Sequence, residues 1–158
     1  MTAINPAFVE DLVGPLIGGG DIDEEFHEFS TVDPDDEQQV RDVIRRLLVP
    51  YFYDTSPEGQ RAAKLGLAWY LTFRPDRLSP MYDRLMLPFR EEPVHLWEWI
   101  WRELFGDEDY HLKDDPASFE IKDDPHTVMI TRARHHGRAL GNEWDNPPPP
   151  GQPYLGES

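Results

Sequence analysis

The chain contains no cysteine. That removes disulfides, thiolate zinc sites and cysteine nucleophiles in one step. Lysine is nearly missing too: Lys64, Lys113 and Lys122 stand against twelve arginines, a balance that a GC-rich genome explains as well as any functional demand. Positive charge is scarce overall, with 15 Lys and Arg facing 31 Asp and Glu, for a formal net charge of −16. This argues against a nucleic-acid binder that works through a basic footprint. No apolar run approaches the roughly 20 residues of a membrane span, so no integral membrane protein is expected. The opening Met-Thr-Ala-Ile-Asn-Pro has neither the basic nor the apolar region of a secretory signal, and the expectation is a cytoplasmic protein.

What is present suffices for one folded domain. Of 158 residues, 39% are hydrophobic and 12% aromatic, too many for a wholly disordered acidic chain. The charge is segregated. Residues 1–40 hold 11 acids and no Lys or Arg, residues 41–106 are nearly neutral, and residues 107–127 hold 8 acids and 2 bases. Residues 128–140 hold Arg132, Arg134 and Arg138 with no acid. If the two acidic blocks share a face, their field attracts a basic partner and speeds encounter; solubility alone would also favour them.

Helix starts are marked by a capping side chain before proline, at Asn5-Pro6, Asp33-Pro34, Ser56-Pro57 and Ser79-Pro80, with Pro93 opening a fifth helix. Phe8, Val9, Leu12 and Val13 form one stripe of the first helix, over residues 6–13. Val40, Val43, Ile44, Leu47 and Leu48 keep helical spacing from Pro34 until Pro50, which is expected to stop that helix and leave Tyr51-Phe52-Tyr53 as a connector. The Pro57 helix is apolar on most sides and should lie at the centre. A short helix after Pro80 carries Met81, Tyr82, Leu85 and Met86. In the Pro93 helix, Leu96, Trp97, Ile100, Trp101 and Leu104 share one face, while Trp99 falls on the polar side with His95, Arg102 and Glu103.

Beyond that helix lies a tandem nine-residue repeat: Lys113-Asp-Asp-Pro-Ala-Ser-Phe-Glu-Ile121, then Lys122-Asp-Asp-Pro-His-Thr-Val-Met-Ile130. Each unit reads as an Asp-Asp-Pro turn before a short strand, giving an antiparallel β-hairpin near residues 117–133. Residues 146–158, with four prolines at 147–150, read as an extended polyproline tail. The expected fold is α+β and mainly helical: about five helices around one core in residues 1–145, the hairpin, and the Pro-rich tail.

No motif commits the chain to a reaction. The six histidines lack the spacing of a metal site, and His135-His136 are adjacent. Asp21-Ile-Asp23-Glu24-Glu25 begins like a calcium loop, but Phe26 stands where glycine is needed and Val32 where a closing glutamate belongs. Gly18-Gly19-Gly20 is followed by Asp21, which repels phosphate. There is no nucleophile elbow. No catalytic residue, metal or cofactor is therefore assigned.

The composition points instead to a non-enzymatic acidic protein that neutralises a basic protein partner, in the manner of immunity proteins and antitoxins that cap a toxic nuclease or related effector. Glu24, Glu25, Asp35, Asp36, Asp107, Glu108 and Asp109 are the candidate carboxylates, and Trp99 is the candidate apolar anchor. One alternative is an enzyme using His95, His111 or His126 with a carboxylate in a cleft. Another is a structural or regulatory subunit that engages its partner through the Pro-rich tail.

Overall fold

The computed structural model describes residues 1–16, 32–85, 89 and 92–135. It is mainly helical, with one small two-stranded parallel sheet. In chain order the elements are β1 (Thr2–Ile4), α1 (Pro6–Leu12), α2 (Glu37–Val43), α3 (Val49–Tyr53), α4 (Pro57–Phe73), α5 (Leu78–Leu85), α6 (Leu96–Phe105), β2 (Phe119–Ile121) and α7 (Pro125–His135). The triple glycine, the acidic stretch with Glu24 and Glu25, and the Pro-rich tail lie outside the described residues.

Two proline signatures open helices where expected. Asn5 caps α1 by accepting from the Ala7 amide, and Ser56 caps α4 by accepting from the Gly59 amide. The others shift. Asp33-Pro34 forms a turn, and Asp36 caps α2 instead, accepting from the amides of Gln38 and Gln39. Pro80 lies inside the first turn of α5, and α6 begins at Leu96, three residues beyond Pro93.

Pro50 does not stop its helix. Residues Ile44–Leu48 form a wide π turn in which the Val49 amide donates to the Ile44 carbonyl, and the helix runs on through α3 to Tyr53. In a regular helix the proline ring meets the carbonyl four residues back, and the wide turn loosens the ladder directly ahead of that contact. Tyr51-Phe52-Tyr53 is thus helical, with Phe52 in the core.

α4 occupies the centre as its composition requires. Leu67, Ala68, Trp69, Tyr70 and Leu71 are buried in it, and its closest helical neighbour is α1. Gly66 permits that approach: a Cβ there would sit 2.8 Å from a Val9 methyl carbon.

The expected hairpin does not form over residues 117–133. The two repeat units begin alike and end differently. In the first, Asp115 accepts from the Ala117 amide, one 3-10 turn forms at Pro116–Ser118, and the chain extends into β2. β2 pairs in parallel with β1, matching Thr2 to Phe119, Ala3 to Glu120 and Ile4 to Ile121. In the second, the Asp124 carboxylate accepts from the amides of His126 and Thr127 and from the Thr127 hydroxyl, at 3.1, 3.3 and 2.6 Å. That is a complete helix cap, and α7 grows from it. Val128, Thr131 and Ala133 are the residues α7 buries, and it packs against α1 and α4.

Candidate functional site

The C-terminal end of α6 builds an acidic concavity. Glu98, Trp101 and Arg102 stand at i, i+3 and i+4 and so share one side of the helix. Gly106 ends the helix with φ 64° and ψ −133°, a conformation that side chains resist. The chain therefore turns back beside the helix as a rim, Asp107 to Leu112.

Three hydrogen bonds from two side chains fix the rim. Trp101 Nε1 donates to the Glu108 carbonyl at 2.6 Å. Thr72 Oγ1 donates to the Tyr110 carbonyl at 3.2 Å and accepts from the Leu112 amide at 3.1 Å. The even-numbered side chains face the body. Glu108 meets Lys64 of α4 through both oxygens (2.8 and 2.7 Å), Tyr110 lies edge-on to Trp101, and Leu112 packs on the core. Asp107, Asp109 and His111 are exposed, and Glu108 remains half exposed beside Lys64.

Between rim and helix lies a groove of about 560 Å³, lined by Arg41, Glu98, Trp101, Arg102 and Gly106 to Tyr110. That volume is within the range of pockets that take a small ligand or a side chain. Among the described residues Asp107 makes no ion pair. Asp109 accepts from the His111 amide (3.0 Å) and contacts His111 Nδ1 (2.6 Å), and these bonds hold its carboxyl below the usual range, the backbone bond most. Among the described residues Glu98 pairs with His95, at 3.7 Å.

Three of the expected carboxylates, Asp107, Glu108 and Asp109, thus come together, and Glu98 joins them. Glu98 was legible through its helical spacing to Trp101 and Arg102. Asp35 and Asp36 are not among the groove's lining residues. Asp36 is committed to capping α2, and Asp35 is exposed without an ion pair among the described residues. α2 contributes Arg41 to the groove.

Trp99 is not an exposed anchor: it is buried, at 6% exposure. The side of α6 that looks polar in the sequence is an interface. Glu103, one turn beyond Trp99, has a side chain only 8% exposed. It is gripped by Arg41 Nε at 2.7 Å and by Arg45 at 3.2 and 2.9 Å. Burial acts to raise the Glu103 pKa, but the two arginines outweigh it and hold the carboxyl below its ordinary value.

A second polar cluster ties the ends of the fold together. Arg132 of α7 donates to both Asp11 oxygens at 2.7 Å, contacts the Tyr51 hydroxyl, and lies 4.7 Å from the centre of the Tyr51 ring. Burial foremost, and then the adjacent Asp11, push the Tyr51 hydroxyl up to about 12. The cavity beneath has a volume of about 20 Å³, room for about one water.

The histidines of the enzymatic alternative are dispersed. His95 stands near Glu98, His111 near Asp109, and His126 in the first turn of α7. The carboxylates beside the first two are themselves exposed, 43% for Glu98 and 70% for Asp109. Neither has the buried setting that shifts a carboxyl toward acid–base work at neutral pH. Among the described residues, no three His, Asp or Glu side chains gather as a metal would require, and no helix is long and apolar enough to cross a membrane. Comparison with protein-family models, with curated proteins and with solved structures finds no match to this chain.

Proposed function

We propose that the protein is a non-enzymatic acidic binding protein that neutralises a basic protein partner, with the character of an immunity protein or antitoxin. One observation carries the reading: a rim pinned at Glu108, Tyr110 and Leu112 presents Asp107 and Asp109 to solvent across a groove from Glu98. Fixing the backbone in advance lowers the ordering cost of association. Beyond the rim, Asp114, Asp115, Glu120, Asp123 and Asp124 are also exposed, against Lys113 and Lys122. A negative surface of this kind steers a cationic partner and sets its orientation.

The test is binding of a basic protein across a salt series. The Asp107→Lys, Asp109→Lys double variant should bind more weakly at low salt, and its affinity should change less with salt than the parent's. Equal affinity and equal salt dependence for parent and variant would refute the proposal.

A further inference from the structure

We infer that the groove between α6 and its rim selects arginine over lysine as the side chain a basic partner inserts. The inference rests on reading this groove as the partner-facing surface.

A guanidinium is planar, offers a fork of N–H donors and stacks on aromatic rings; an ammonium is a strongly hydrated point charge. A site that favours the first needs a carboxylate free to accept and an aromatic ring beside it. The groove supplies both. Asp107 has no ion pair among the described residues, while Asp109 beside it is engaged by His111 at 2.6 Å. Tyr110 lines the groove with these acids, one side of its ring stacked on His111 at 4.4 Å and 23° and its edge toward Trp101. Glu98 lines the groove as well, together with Arg41 and Arg102, whose charges leave the acids in excess, and the volume accommodates a long side chain.

The same chemistry already operates within the fold. Arg132 sits over the Tyr51 ring while its guanidinium donates to both oxygens of Asp11. Lys64, by contrast, meets Glu108 where both side chains are partly exposed. An aspartate and a tyrosine together hold an arginine in one place; in the other, Asp107, which has no ion pair among the described residues, and Tyr110 offer the same two groups.

The experiment measures the full chain against an arginine peptide and a lysine peptide of equal length and charge, at low salt. The arginine peptide should bind about tenfold more tightly, the equivalent of one good charge-assisted or stacking contact. Asp107→Asn and Tyr110→Leu should each reduce that ratio, with circular dichroism confirming that the variants are folded. Asp114→Asn, an exposed acid outside the groove, should leave it unchanged. Equal binding of both peptides would overturn arginine selection while leaving the basic-partner reading in place. An Asp114→Asn effect as large as that of Asp107→Asn would overturn the groove as its source. Binding of neither peptide would overturn both.

Discussion

The side-chain amide of Asn5 grips the backbone of Asp124 across nearly the whole described chain. Asn5 Nδ2 donates to the Asp124 carbonyl at 2.9 Å, and the Asp124 amide donates to Asn5 Oδ1 at 3.0 Å. The same Asn5 oxygen accepts from the Ala7 amide, and the Asp124 carboxylate caps α7. Two helix starts are thereby fastened to one another. Asn5→Ala removes a cap and both cross-chain bonds, so it should cost about 1–3 kcal/mol. Asn5→Asp keeps the cap but loses the donated bond and should cost less. Urea unfolding gives both values, and an unchanged midpoint for Asn5→Ala would contradict this account.

Trp99 should behave as a core residue. Truncating a buried tryptophan to alanine costs about 3–5 kcal/mol. Trp99→Ala should therefore unfold at markedly lower denaturant, and at temperatures where it is folded it should keep its affinity for a basic probe. A variant of unchanged stability that no longer bound would return Trp99 to the surface.

Glu103 links α6 to Arg41 and Arg45. Its pKa is lower when folded, so its contribution is present above the unfolded carboxyl value near 4.5 and is lost as pH falls through the lower folded value. Glu103→Gln should destabilise the protein by about 1–3 kcal/mol at neutral pH, by weakening the grip and leaving two arginines short of a charge. The deficit should shrink below about pH 4. A deficit independent of pH would show that the charge of Glu103 contributes nothing.

Tyr51 shifts the other way. Its hydroxyl titrates near 12 when folded and near 10 when unfolded. The associated stability is complete below pH 10 and is lost as pH rises toward 12. Burial raises Tyr70 and Tyr82 in the same direction, so Tyr51→Phe should remove part of the alkaline loss of stability. Thermal midpoints of parent and variant between pH 8 and 11.5 would reveal it: parallel curves would exclude Tyr51 as a contributor.

Helical stripes and two of the caps could be read directly, because Asn5-Pro6 and Ser56-Pro57 act through local geometry alone. Asp-Pro at 115–116 and 124–125 is ambiguous for the same reason. The dipeptide fixes a turn, and the element after it is chosen by tertiary partners: β1 for the first copy, α1 and α4 for the second. Pro50 misleads because a π turn relieves a clash that residue type alone makes look prohibitive. Trp99 misleads because helical periodicity assigns Glu103 to water, whereas Arg41 and Arg45 bring it inside. Asp107 to Asp109 were legible as a charge cluster, but their presentation was not. It depends on Thr72 and Trp101 gripping alternate residues of the rim.

The parallel pairing of β1 with β2 also bears on synthesis. The first strand leaves the ribosome long before its partner exists, and its backbone can pair only when almost the whole described chain has emerged. Local helices such as α4 can form in the interim. Final closure is therefore a late event, and a nascent chain halted before residue 119 would leave its N-terminal strand without its sheet partner.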